Sequence, residues 1–127
     1  MTVMYSEDHL WVRLESGSRA TLGISRQAAE EVGEITFVEL PALGTPLSPG
    51  DVLCVMESVK TAADVTTPIG GIVCEVNRLL DEKPRWVNDS PEETGWLCRL
   101  EQVDQAQVQG LMNREQYLAF VDAHISP

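Results

Sequence analysis

A lysine between two apolar runs is the side chain of this sequence best suited to covalent chemistry. Lys60 follows the apolar run 52–56, and a second apolar run, 72–76, comes after the turn residues 67–71. The chain holds only two lysines, Lys60 and Lys83, against seven arginines. An ammonium at a strand–turn–strand junction suits a covalent attachment point, because a lysine amine can be acylated and a guanidinium cannot replace it. The alternative is that Lys60 is an ordinary solvated turn residue.

Length and charge narrow the class of protein. A chain of 127 residues predicts a single domain over residues 1–127. A formal net charge of −11 argues against binding to nucleic-acid phosphates or anionic lipid. No apolar run approaches the roughly 18 to 20 residues of a membrane span, and the first residues lack the basic start and apolar stretch of a signal peptide. We therefore predict a cytoplasmic protein with no nucleic-acid or membrane partner.

Recognisable catalytic motifs are missing from the sequence. Neither histidine adjoins a nucleophile motif, and there is no GxSxG, Walker loop, GxGxxG or HExxH. Cys54, Cys74 and Cys98 form no CxxC pair and no metal-ligand spacing. Each lies in an apolar run, where a thiol usually packs as a small hydrophobe, and a redox role is the alternative. An autonomous enzyme is therefore a weaker hypothesis than a carrier, and no metal site is predicted.

Turn and cap residues divide most of the chain into short strands. Ser25 and Gly33 are typical caps for a helix over Arg26–Val32. Strands are predicted at 11–14, 20–24, 35–40, 52–56, 72–76 and 96–100, with a further strand between Lys60 and Pro68.

The period of the pattern changes in the last quarter of the chain. Asp104 with Gln107, and Asn113 with Gln116, each predict a capping box that opens a helix. The second helix has an apolar face at Tyr117, Leu118, Phe120 and Val121. The expected fold is mostly β with short helices, as a flattened β-barrel or barrel-sandwich hybrid with C-terminal helices on one side.

Motifs along nearly the whole chain resemble those of the glycine cleavage H-protein family, whose members are lipoyl carriers. The most specific pieces are Phe-Val-Glu-Leu-Pro at 37–41 and Glu-Ser-Val-Lys at 57–60. Further pieces match in order at 5–12, 22–24, 33–36, 50–51, 64–65, 68–71, 75–77, 87–88 and 95–97. A biotin carrier would have methionines beside the lysine, where this chain has Val59 and Thr61, and lipoyl domains of 2-oxoacid dehydrogenases usually carry Asp-Lys.

The resemblance implies a covalent cofactor, its attachment site and its partners. Lipoate is expected in amide linkage to Lys60, attached by a lipoate–protein ligase or a lipoyl transferase. Glu57, Ser58 and Val59 are expected to present that lysine, and Asp64 to contact the cofactor's cargo. Dihydrolipoamide dehydrogenase is expected to reoxidise the dithiol. The protein itself is then a carrier without catalytic residues.

Departures from the family pattern bear on which group the arm carries. Leu10 stands where the family usually has a glutamate, Gln27 where it has a histidine, and Glu92 where it has a tyrosine. The missing glutamate would hold a cationic aminomethyl group, because an unpaired ammonium is costly to bury. Glu7 or Asp8 is the available substitute.

Three hypotheses follow. The first is an H-like lipoate-binding protein of sulfur oxidation, partnered by a heterodisulfide-reductase-like complex. The second is a glycine cleavage H protein, partnered by glycine decarboxylase and an aminomethyltransferase. The third is an unlipoylated interaction module. The replaced residues favour the first.

Overall fold

Nine short strands in two antiparallel sheets form the body of the protein in a computed structural model, which describes residues 2–125 and the side chains of residues 2–123. Residues 1, 126 and 127 of the expected 1–127 domain lie outside the described residues. The strands are β1 (Val3–Tyr5), β2 (Leu10–Leu14), β3 (Ala20–Ile24), β4 (Ile35–Glu39), β5 (Pro46–Leu47), β6 (Val52–Ser58), β7 (Ala62–Thr66), β8 (Gly71–Val76) and β9 (Cys98–Glu101). One sheet has the order β1-β2-β3-β9-β8-β5 and the other β4-β6-β7.

Within residues 2–125, five helices accompany the sheets: α1 (Arg26–Val32), α2 (Leu79–Glu82), α3 (Trp86–Asp89), α4 (Gln105–Gln109) and α5 (Arg114–Ile125). The prediction of a mostly β fold with short helices is confirmed. The two sheets are separate in their hydrogen bonding, so they are not closed into a barrel. No helix within residues 2–125 combines the length and apolar character needed to cross a membrane.

The main core lies between the two sheets. Leu22 and Leu100 come from the larger sheet, Val38 and Met56 come from the smaller one, and each is at most 1% exposed. Burying a side chain of this size contributes about 1.5–3 kcal/mol. A second cluster, Tyr5, Trp11, Tyr117 and Val121, packs α5 against the other face of the larger sheet. As a result, Leu10, Trp11 and Val12 are all buried although successive residues of a strand point to opposite faces.

Side chains at the predicted caps confirm the boundaries of α1. Ser25 Oγ accepts a hydrogen bond from the amide of Ala28 at 3.2 Å, which satisfies one of the free amides of the first turn. Gly33 ends the helix with φ of 84°, a backbone conformation that favours glycine.

The two capping boxes predicted near the C-terminus have different outcomes. At the start of α5, Asn113 and Gln116 exchange side-chain-to-amide hydrogen bonds of 2.8 and 2.9 Å, so this capping box is confirmed. At the start of α4, Asp104 caps the amide of Ala106 at 2.9 Å as a single N-cap. The prediction for Gln107 was wrong, because its Oε1 instead accepts from the amide of Gly70 at 2.8 Å. A long-range partner therefore replaced the local one.

Helices α2 and α3, with strands β1 and β5, were not predicted. They contain two to four residues each, too few to show a helical or strand period. Helix α3 nevertheless has a structural role through Asn88. Its Nδ2 donates to Gly33 O at 2.7 Å, and its Oδ1 accepts from the amide of Ile35 at 2.9 Å. These two bonds join the end of α1 to the start of β4.

Candidate functional site: a lysine hairpin beside an acidic cleft

The β6–β7 hairpin presents Lys60 at its tip. The last paired residues are Glu57 and Ala62, so four residues, 58 to 61, form the connection. The side chain of Lys60 is exposed. Within the described part of the chain, no carboxylate forms a salt bridge with its amine. The amine is therefore accessible from solvent.

Ser58 organises the backbone of this turn. Its Oγ accepts from the amides of Lys60 at 3.2 Å and Thr61 at 3.1 Å, and its own amide donates to Thr61 O at 2.7 Å. The amide of Val59 donates to Glu34 O at 3.2 Å, which ties the tip to the neighbouring β4 side of the sheet. The lysine consequently projects from a held backbone rather than from a free loop.

Replacing Ser58 with alanine should loosen this turn locally. Losing this hydrogen-bond acceptor costs about 1 kcal/mol of local stability. The amides of Lys60 and Thr61 are therefore expected to exchange their hydrogens about fivefold faster, as measured by NMR. Ser48→Ala is the matched control, because the Ser48 hydroxyl makes no hydrogen bond within the described residues. Unchanged exchange at both amides in Ser58→Ala would contradict this account of the turn.

The surface beside the lysine combines apolar and acidic side chains. Phe37, Glu57 and Ala62 are cross-strand neighbours on the outer face of the smaller sheet, and all three are exposed. Val59 is 71% exposed at the tip. An exposed valine and phenylalanine together with a carboxylate therefore form a mixed apolar and acidic surface near Lys60.

A cleft of about 360 Å³ lies along the free edge of β7. Residues 7–9 of the β1–β2 connection form one wall, one face of α1 forms another, and residues 63–66 of β7 form the third. Asp64 is among the residues that line the cleft. Glu57, Ser58 and Val59 are not in the cleft lining and lie at the lysine hairpin instead.

Among the described residues, four with carboxylate side chains line this cleft: Glu7, Asp8, Glu31 and Asp64. No lysine or arginine is among the lining residues. Low-dielectric walls concentrate the field of like charges, so the cleft attracts a cation. The apolar floor includes Leu10, which is 2% exposed. Leu10 therefore supplies packing, and the carboxylates come from other positions.

Sequence reasoning missed Glu31 and His9 as cleft residues. A signal for Glu31 was present, because Ala28, Glu31 and Val32 have i, i+3 and i+4 spacing and so share one face of α1. His9 gave no such signal. It has φ of 68°, which histidine tolerates better than most residues, and this conformation follows from the tertiary structure around it.

A hydrogen-bonded group behind the cleft joins His9 to α5. His9 Nδ1 lies 2.8 Å from Tyr117 Oη, and Tyr117 Oη lies 2.6 Å from Ser25 Oγ. The Tyr117 ring stacks on Tyr5 with centroids 4.5 Å apart. One wall of the cleft is thus attached to the C-terminal helix.

Glu92, one of the departures from the family pattern, is a structural partner in this region. Its carboxylate accepts from Tyr5 Oη at 2.6 Å and from the amide of Arg26 at 3.0 Å, and Arg114 lies 3.5 Å away. Burial, followed by the Glu92 carboxylate, raises the pKa of Tyr5 to about 12. Tyr5 therefore remains a neutral donor to Glu92 at physiological pH.

All three cysteines lie within the described residues, and all are free. Burial raises the pKa of Cys54, and raises that of Cys98 to about 12. Since the thiolate is the reactive form, these two thiols act as packing groups. Cys74 is half-buried, with its Sγ 3.4 Å from a guanidinium nitrogen of Arg19.

The two-sheet fold with a lysine at a hairpin tip is that of the lipoyl-domain class. A family profile described as "Glycine cleavage H-protein" matches residues 3–124. The chain belongs to the glycine cleavage H-protein family.

Individual relatives agree with this assignment. The glycine cleavage system H protein of Phenylobacterium zucineum is 44% identical over 117 residues, covering 92% of this chain and 96% of the relative. That of Alteromonas mediterranea is 45% identical over 118 residues, covering 93% and 92%. A crystal structure of the Mycobacterium marinum protein of the same name has a TM-score of 0.83 at 27% identity, covering 95% of this chain and 97% of that one.

Proposed function

We propose that this protein carries lipoate in amide linkage on Lys60 and serves glycine cleavage. The observation that carries the proposal is an exposed lysine on a held turn, beside a cleft lined by four carboxylates. Family membership supports the cofactor, and the names of the relatives support the pathway. Acylation removes the charge of the lysine, so the finished arm does not compete with a cationic cargo for the cleft.

The dimensions of the hairpin fit such an arm. Asp64 lies four residues beyond Lys60, and an extended chain rises about 3.3 Å per residue, so the two positions are at most about 13 Å apart. A lysine side chain extended by a lipoyl chain reaches about 14 Å by ordinary bond lengths. The end of the arm can therefore reach the cleft without any movement of the strands.

The chain's own residues would bind and shelter the cargo. When bound, lipoate supplies a dithiol/disulfide pair that opens to take up a group on sulfur and closes after delivery. Asp64 and Glu31 border the cleft from β7 and α1, where their charges stabilise an ammonium. Leu10 and Met56 exclude water from the floor, which strengthens those charge interactions.

Glycine cleavage is favoured over the sulfur carrier that the sequence placed first. That expectation rested on Leu10 replacing a carboxylate. The structure places Leu10 in the floor and brings four other carboxylates to the cleft, including Glu7 and Asp8. A cleft of this charge suits a cationic aminomethyl group better than an anionic sulfur species.

The partners follow from the same proposal. A lipoate–protein ligase or lipoyl transferase would act on Lys60. Glycine decarboxylase, an aminomethyltransferase and dihydrolipoamide dehydrogenase would then use the arm in turn. Tethering raises the effective concentration of the arm at each active site to which the carrier docks.

Glycine–bicarbonate exchange tests the pathway. Fully lipoylated protein, combined with a glycine decarboxylase, is expected to support exchange of labelled bicarbonate into glycine. Mass spectrometry of the intact chain establishes the lipoylation state first. No exchange with a fully lipoylated chain, and with a decarboxylase that works with another H protein, would contradict the glycine cleavage role.

Asp64→Asn should weaken this exchange. Removing one partner of a partly exposed ion pair costs about 1 kcal/mol, so we expect about fivefold lower exchange efficiency at the same degree of lipoylation. Asp81→Asn changes the net charge equally, from a position on α2 outside the cleft lining, and serves as the control. Equal rates for the two variants would show that Asp64 does not hold the cargo.

A further inference from the structure

The direction of the hydrogen bonds behind the cleft follows from the groups that form them. Ser25 is fully buried. Within the described part of the chain its Oγ has two hydrogen-bond partners, the Ala28 amide and Tyr117 Oη. The amide is a donor, so it cannot accept the serine proton. The Ser25 hydroxyl must therefore donate to Tyr117 Oη, because a buried hydroxyl that fails to donate is costly.

The same reasoning fixes the next bond in the series. Tyr117 is 1% exposed, and its described partners are Ser25 Oγ and His9 Nδ1. Since Tyr117 Oη already accepts from Ser25, its own proton is donated to His9 Nδ1. Burial raises the pKa of Tyr117, so that proton is present at neutral pH. His9 Nδ1 is then an acceptor, and a neutral ring carries its proton on Nε2.

We propose that His9 is a positioned hydrogen-bond donor of the cleft, held in its Nε2–H tautomer by Ser25 and Tyr117. Its Nε2–H donates a hydrogen bond to a sulfur atom of the lipoyl arm. The proposal rests on the proposed lipoyl function for its ligand, whereas the tautomer follows from the hydrogen bonds of Ser25 and Tyr117 and does not depend on lipoate. Tyr117 and Ser25 are positioning residues, since they act through His9. Helix α5 thereby acquires a role in the cleft, although none of its described side chains lines it.

The charges of the cleft explain why a donor is needed there. Glu7, Asp8, Glu31 and Asp64 suit a cationic cargo, but they disfavour a thiolate, because like charges disfavour ionisation. The thiolate is nevertheless the form that reacts in thiol–disulfide exchange. A hydrogen bond donated by His9 Nε2 would stabilise the thiolate and leave the carboxylates free for the cation.

The backbone holds the His9 ring at this position. The carbonyl of His9 accepts from the amide of Ser25 at 2.8 Å, and its amide donates to Ser6 O at 3.1 Å. The ring is half-buried and meets Tyr117 edge-on, with centroids 5.8 Å apart. Both the backbone and the ring are thus held by groups outside the cleft.

Nitrogen NMR of the unlipoylated full-length chain tests the tautomer directly. At about pH 8, His9 is expected to show a protonated Nε2 and an unprotonated Nδ1. Tyr117→Phe should produce a mixture of the two tautomers. Tyr5→Phe is the matched control, because it removes a hydroxyl from the same stack without touching His9. A protonated Nδ1 in the unmodified protein, or no change in Tyr117→Phe, would overturn the assignment.

The acidity of the arm tests the ligand. In the lipoylated and reduced chain, the pH midpoint of thiolate formation is read from ultraviolet absorbance. His9→Ala is expected to make the thiol about fivefold less acidic, the change produced by losing one hydrogen bond of ordinary strength. An unchanged midpoint with Lys60 fully lipoylated overturns the donor role. Failure of lipoylation itself contradicts the proposed function and leaves the tautomer measurement in force.

Discussion

Lys60→Arg will abolish attachment of lipoate to this protein. A guanidinium remains protonated at physiological pH and cannot replace the lysine amine as the acylated nucleophile. The exchanged side chain is exposed and makes no salt bridge within the described residues, so the hairpin should fold as before. Intact mass after incubation with lipoate, ATP and a lipoate–protein ligase measures the result. We expect complete modification of the unaltered chain and none of the variant.

The chain provides its own control for this experiment. Lys83 is the only other lysine, it is exposed, and it follows α2 rather than a hairpin. Lys83→Arg should therefore be lipoylated as fully as the unaltered chain. Acylation of Lys60→Arg at Lys83 would show that the ligase does not select the hairpin. Normal carrier activity without modification would instead support the third hypothesis, an unlipoylated interaction module.

Trp11→Ala will produce the largest loss of stability among the substitutions considered. Trp11 is 1% exposed, and its indole nitrogen donates to Pro91 O at 2.9 Å. Truncating a buried tryptophan removes apolar burial and leaves a cavity, which together cost about 3–5 kcal/mol. The free energy of unfolding is measured by urea denaturation. A loss below about 1 kcal/mol would contradict the packing of α5 over the larger sheet.

A second substitution, Gly23→Ala, tests whether the indole of Trp11 packs directly against Gly23. A Cβ at position 23 would lie 2.7 Å from three indole atoms of Trp11, so Gly23→Ala should cost about 1–3 kcal/mol in the unaltered chain. In the Trp11→Ala background the clash is gone and the cost should largely disappear. Gly110→Ala is the control, because its Cβ would meet nothing closer than 3.6 Å. Strict additivity of the two changes would contradict this contact.

Predictions that depend on neighbouring residues agree well with the structure. The caps of α1 at Ser25 and Gly33 and the capping box of Asn113 with Gln116 act over a few residues, so they can be read from the chain. Gln107 shows the limit of this reasoning. The same residue type at the same spacing accepts from Gly70 instead, because the tertiary structure brings that amide within hydrogen-bond distance, 2.8 Å.

The residues that depart from the family pattern show that functional inference from the sequence has the same limit. In the sequence, Leu10 argued against a cationic cargo because it replaces a carboxylate of the family pattern. The fold places it in the apolar floor and brings Glu31 from α1 to face the same space as Asp64. Glu92 likewise gains its role from Tyr5, which is 87 positions away in the chain. Burial and long-range pairing change what each side chain contributes.

The sequence by itself determined the lysine at a turn between two strands, because apolar runs, turn residues and Ser58 act locally along the chain. The tertiary structure alone decided the cleft and the state of its histidine. His9 and Tyr117 are 108 positions apart, and they meet because α5 buries its aromatic face on the larger sheet. Nothing in the pattern of either segment specifies that contact, since it results from packing energies summed over the whole molecule.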